Sequence, residues 1–223
     1  MPDDPTELSI ELADELREIT RALVDQALPR DQVERVLKAV RATYADRDGP
    51  RRPRWYEEDS PNSFGSDDGG AFGALSPVRG QLNPVAPPLR LERGERDDGT
   101  PCIIGHANMS AVYEGPPRGV HGGLVAALFD EILGAAMVFA PPPGVTARLE
   151  VDYHHLTPIG EDLRLEAWVV ESRGRRVRAE AMCHAGTTLT ARAKALFIRV
   201  DFDAVEDRMR SRAADREDND GDE

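Results

Sequence analysis

Residues 124–139 read Leu-Val-Ala-Ala-Leu-Phe-Asp-Glu-Ile-Leu-Gly-Ala-Ala-Met-Val-Phe. No other run limits the fold of this 223-residue chain as much. It is too long for a strand and rich in Ala and Leu, so a helix is predicted over 124–140. Almost no polar face remains, and a helix apolar all round is expected to be buried all round. The longest mostly apolar stretch, 132–143, reads as too short for a bilayer and ends in Pro141-Pro142-Pro143. A curved antiparallel sheet wrapping the helix is the natural cover. Asp130 and Glu131 are its only charges and point about 100° apart, so both cannot escape by the same route. Glu131 is expected to meet an arginine or a boundary, which leaves Asp130 as the carboxylate with work to do.

The flanks supply the sheet. Leu89 and Leu91 alternate with polar residues, and 102–107 with 111–113 form a second apolar stretch. After the three prolines, Ala147, Leu149, Val151 and Tyr153 share one face. Leu163 to Val169, Val177 to Cys183 and Leu189 to Val200 follow with short turns, which predicts antiparallel hairpins. The reading is α+β: two strands, one helix, then four strands in a meander over 89–202.

Charge separates this unit from its margins. Residues 1–100 carry 21 acids and 14 bases, 101–200 carry 10 and 10, and 201–223 carry 10 and 4. The neutral middle is the packed domain. No basic footprint exists for nucleic acid. Leu8, Leu12, Leu16, Ile19 and Leu23 predict one amphipathic helix, and Val33, Val36, Leu37 and Val40 a second, making 1–45 a helical extension. Residues 46–88, rich in Pro, Gly and Asp, read as an arm with little regular structure, whose Trp55, Tyr56, Phe64 and Phe72 need something to pack on. The acidic tail 203–223 is expected to be disordered. Met-Pro-Asp-Asp lacks the apolar segment of a secretory signal, so a cytoplasmic protein with no membrane association is expected. Cys102 and Cys183 are too few for a disulfide framework.

Gly122 and Gly123 stand at the predicted helix start, where backbone N–H groups suit a carbonyl oxygen that gains charge. His154 and His155 point to opposite faces of a strand and cannot share a metal, and Cys183-His184 fails as a nucleophile–base pair for the same reason. Arg173, Arg175, Arg176 and Arg178 are mostly a solvated strand end, with a lesser claim to bind phosphate.

The segment Tyr113-Glu-Gly-Pro-Pro-Arg-Gly-Val-His-Gly-Gly-Leu-Val-Ala-Ala-Leu-Phe-Asp-Glu-Ile-Leu-Gly134 resembles the signature of the PaaI-type acyl-CoA thioesterases of the hotdog fold. Downstream, 145–153, 157–160, 163–170 and 193–199 match in order, so the likeness covers about 89–200. One departure is Tyr153-His-His-Leu-Thr-Pro158, where the family usually has Tyr-x-Arg-Pro. The resemblance implies a hotdog fold and acyl-CoA thioester hydrolysis without cofactor or metal. It makes Asp130 nucleophile or general base, has His121, Gly122 and Gly123 shape the carbonyl site, and has Thr146 orient water or intermediate. His121 and Asp130 lie nine positions apart, about 13.5 Å of rise and half a turn out of phase. One helix cannot bring both to one thioester. The resemblance therefore implies a homodimer or dimer of dimers with the site at the subunit interface. The alternative is a hotdog module that binds acyl-CoA without turnover.

Overall fold

The structure is a computed structural model describing residues 5–45, 70–87 and 89–200. Its centre is a six-stranded antiparallel sheet: β1 Arg90–Glu95, β2 Pro101–Asn108, β3 Gly144–Tyr153, β4 Asp162–Arg173, β5 Arg176–Ala185 and β6 Thr188–Arg199. Period-two alternation builds it. Val177, Ala179, Ala181 and Cys183 of β5 are buried while Arg176 and Arg178 face water, and Ala191, Ala193, Ala195 and Phe197 repeat the pattern on β6.

The strand order is β1-β2-β4-β5-β6-β3, which corrects the expected four-strand meander. Only β4, β5 and β6 follow one another. β3 does not pair with β4; it crosses to the far edge and runs antiparallel to β6, from Gly144↔Arg199 to Tyr153↔Ala191. A short connection fixes how far the chain travels, not which edge it reaches. The stretch 111–113, read with the second strand, is a 3-10 turn, Ala111–Tyr113.

Helix α4, Gly122–Ala135, continues as a 3-10 turn, Ala136–Phe139, and lies on one face of the sheet. Val125, Leu128, Phe129, Ile132, Leu133 and Ala136 form its buried stripe at helical spacing. Gly105 on β2 lets it settle there, since a Cβ at that position would stand 2.9 Å from Ile132 Cδ1. The helix is not buried on every side, contrary to expectation: Gly123, Asp130 and Val138 on the outer face are exposed. Gly122–Phe139 also corrects the reading of the longest apolar run. With a mean hydropathy of 1.7 over 18 residues it is long and apolar enough to cross a membrane. Two adjacent acids do not interrupt an apolar run enough to change that average, and here the run serves as the core helix.

The N-terminal helices are α1 Pro5–Asp25 and α2 Arg30–Ala45. Helix α1 rests against Ala111–Tyr113 through the face bearing Ala13 and Arg17, while its apolar stripe of Leu8, Leu12 and Leu23 stays exposed. On α2, Val33, Leu37 and Val40 are exposed too. Of the arm, a short helix α3, Gly70–Leu75, and a strap of turns over 76–87 are described. Arg17 holds the strap by donating to the carbonyls of Gly80, Gln81, Asn83 and Ala86 at 2.9–3.2 Å. Trp55, Tyr56, Phe64, the Phe72 side chain and the tail 203–223 lie outside what is described.

Candidate active site

A tight loop delivers His121 to the start of α4. Gly115 N–H donates to Gly119 O, and Glu114 accepts the Arg118 N–H at 2.6 Å. Arg118 sits at φ 63, a left-handed conformation uncommon outside glycine, and the carboxylate of Glu114 helps hold it there. Neither residue drew attention in the sequence, where an arginine before glycine looks like any turn. Val120 N–H donates to the carbonyl of buried Thr157 at 2.8 Å, tying the loop to the segment after β3.

His121 is the N-cap of α4. Its Nδ1 accepts the Gly123 N–H at 3.0 Å, so the neutral ring carries its proton on Nε2. The Gly123 N–H is thereby engaged within the chain. The Gly122 N–H has no acceptor among the described residues. The other side of Gly122 is fixed as well, because Tyr153 Oη donates to its carbonyl at 2.7 Å. Tyr153 ends β3; in the sequence it stands in the strand alternation and opens the departure from Tyr-x-Arg-Pro. Nothing in its spacing shows that the phenol reaches the helix start.

Eight residues along the helix, Thr146 Oγ1 donates to Asp130 Oδ1 at 2.8 Å. Thr146 stands at an irregularity in β3, where pairing with β6 slips between Thr146 and Arg148. Such a bulge re-aims a side chain. The structure thus brings Thr146 to Asp130, and His121 to Gly123. It keeps the two pairs apart along α4 by about 12 Å of rise.

Glu131 meets the strap instead. Its carboxylate forms a 2.6 Å ion pair with Arg79 of the strap and accepts from Ser76 Oγ at 2.9 Å. The arginine expected for Glu131 therefore comes from the arm. Asp130 pairs with no cation among the described residues.

The remaining signals stay separate from this site. His155 Nδ1 lies 3.0 Å from Leu189 O, and the described residues contain no cluster of three metal-ligating side chains. Burial pushes the Cys183 thiol up, away from nucleophile chemistry. Arg175 and Arg199 hold the β4–β5 end, Arg199 reaching the Gly174 carbonyl, the Ala140 carbonyl and Ser172 Oγ.

A six-stranded sheet packed on one central helix, with the loop-borne glycines at that helix's start, is a hotdog domain. Residues 119–194, from the delivery loop to β6, match the family model described as "Thioesterase superfamily". The acyl-coenzyme A thioesterase THEM4 of Xenopus laevis is 35% identical over 89 residues, 39% of this chain and 40% of that protein. A Pseudomonas aeruginosa protein named as an esterase is 36% identical over 80 residues, 34% of this chain and 60% of that protein. The chain thus spans less than two thirds of either. The crystal structure of protein RHA08564, a thioesterase superfamily protein, is similar with a TM-score of 0.69 and 26% identity, over 85% of this chain and 94% of that one. Residues 90–199 are only about half of this chain, so that likeness extends into its N-terminal elements.

Proposed function

We propose that this chain is a thioester hydrolase acting on acyl-coenzyme A. The observation that carries the reading is the Thr146–Asp130 hydrogen bond, which presents an exposed carboxylate, paired with no cation among the described residues, in a fixed direction. Asp130 takes a proton from water as the water oxygen bonds to the thioester carbon. The carbonyl oxygen gains negative charge against the Gly122 N–H, which the α4 dipole reinforces. As the tetrahedral carbon collapses, the C–S bond breaks, free acid forms, and the proton passes to the departing thiolate. In the covalent variant the Asp130 carboxylate itself attacks, and water then cleaves the mixed anhydride. Thr146 orients Asp130 in both.

Gly122 and Asp130 of one chain lie too far apart to serve one thioester. The reading therefore includes a homodimer, alone or paired into a tetramer, in which α4 of one subunit supplies the N–H and the partner supplies the carboxylate. The name of the Xenopus relative supports acyl-coenzyme A as substrate.

Release of free thiol from acyl-CoA tests this. Asp130→Asn should fold normally and lose about 10²-fold or more in kcat. Gly123→Val, which crowds the carbonyl site, should also be inactive. Co-expressed, the two should recover roughly a quarter of wild-type activity, because about half the dimers are mixed and carry one intact site. A wild-type protein that binds acyl-CoA without thiol release overturns hydrolysis in favour of a binding module. Mixed dimers as inactive as their parents overturn the shared site.

A further inference from the structure

Two carboxylates stand side by side on α4, yet they meet different surroundings. Glu131 has only 12% of its side chain exposed, in ion pair with Arg79, itself 16% exposed, and with Ser76 closing its second oxygen. Asp130 is exposed and is touched by an uncharged hydroxyl. The strap that carries Arg79 is fixed independently. Arg17 of α1 donates to four strap carbonyls, and Ser76 Oγ accepts the N–H groups of Val78 and Arg79. Arg79 is thus delivered to α4 on a strap that Arg17 holds from α1, with Ser76 adding a second tie to Glu131.

We propose that Arg79 is a positioning residue: it withdraws Glu131 from the adjacent acid pair and cancels its charge, so that Asp130 is the carboxylate left to react. The proposal rests on Asp130 as base or nucleophile, argued above. Asp130 and Glu131 are neighbours on α4, so an uncompensated Glu131 places a second negative charge beside the first, whereas the Arg79–Glu131 pair is neutral. Among the described residues, Thr146 bonds Asp130 from β3, Glu131 adjoins it on α4, and Arg79 of the strap pairs with Glu131. Arg148, past the β3 irregularity, is occupied by Glu150 at 2.5 Å and is mostly solvent-exposed.

The two halves of the pair should act with opposite signs on the acid limb of the kcat/KM profile for acyl-CoA. Arg79→Met leaves Glu131 uncompensated and should move the limb up by about one pH unit, lowering kcat/KM about 10-fold at pH values on that limb. Glu131→Gln leaves Arg79 uncompensated and should move it down. Arg79→Met with Glu131→Gln should return the limb to the wild-type position, and Arg79→Lys should hold it there. A merely structural strap would lower activity in all of these without moving the limb, or with both singles moving it the same way. Either result overturns the proposal, as does a double variant no better than Arg79→Met. Should Arg79→Met fail to fold, Glu131→Gln and Arg79→Lys still decide it. Asp130→Asn is measured alongside: if it turns over normally, the reading of Asp130 fails and this one falls with it. If it is inactive while the limb stays fixed in every Arg79 and Glu131 variant, only the role of Arg79 fails.

Discussion

The phenol of Tyr153 donates to the carbonyl of Gly122 at 2.7 Å, so the end of β3 is fastened to the first residue of the central helix. With the Thr146–Asp130 bond, β3 touches α4 at both ends of the proposed machinery. Tyr153→Phe keeps the ring and loses only the hydroxyl. Because that side chain is largely exposed, stability should fall by less than about 1 kcal/mol. The Gly122 peptide loses its anchor, and kcat should drop about 5-fold. Urea unfolding and steady-state thiol release measure the two effects separately.

Thr146 serves by its hydroxyl alone. Thr146→Val has nearly the same shape and should cost about 10-fold in kcat, the scale of one hydrogen bond to a charged group. Thr146→Ser should stay within about 3-fold. Equal losses in Val and Ser would place the effect in β3 packing instead of the Asp130 bond.

The strap tolerates no side chain at Gly80. A Cβ there would stand 2.5 Å from Ser76 O and 2.7 Å from Ala74 O, both backbone atoms that cannot swing aside. Gly80→Ala should destabilise by about 2 kcal/mol. Limited proteolysis should then cut within 70–87 while the sheet domain stays resistant. Cleavage at wild-type rates would mean the strap absorbs the extra carbon.

Both cysteines should be silent in the native protein. Burial raises the thiols of Cys102 and Cys183, and neither is reachable by solvent. A colorimetric thiol reagent at pH 8 should find fewer than one reactive group in native protein and two after denaturation. Because raised thiols remain protonated at that pH, a fast native reaction would show local opening of β2 or β5.

Much of this fold was legible because alternation and helix periodicity are local. The strands around Val177–Cys183 and Ala191–Phe197 announce themselves in every second residue. Pairing is not local, which is why β3 was placed beside β4 when it lies beside β6. The outer face of α4 misled for a related reason: composition says a surface is apolar, not what covers it. At the site, Asp130 stands out as a charge on an apolar helix, whereas Thr146 and His121 come forward only through a resemblance. The arginine owed to Glu131 was anticipated, but Arg79 lay in a segment that looked structureless. Arg17 gave no signal at all, because a lone arginine on a charged helix reads as solvated until its four carbonyl partners are seen.

The position of β3 also sets an order of events during synthesis. Gly144 emerges 55 residues before its partner Arg199, and Cys102 emerges 66 before Trp168. Helix α4 and the edge strand β3 thus leave the ribosome ahead of the strands that will cover or pair with them. A nascent chain halted before Thr188 has β3 without a neighbour and α4 over an incomplete sheet, an adhesive intermediate with an apolar surface and an open edge. Because such long-range pairings carry the cost of loop closure before any reward, the domain should fold in one late step once β6 is out. Native structure in this protein therefore waits on its last strand.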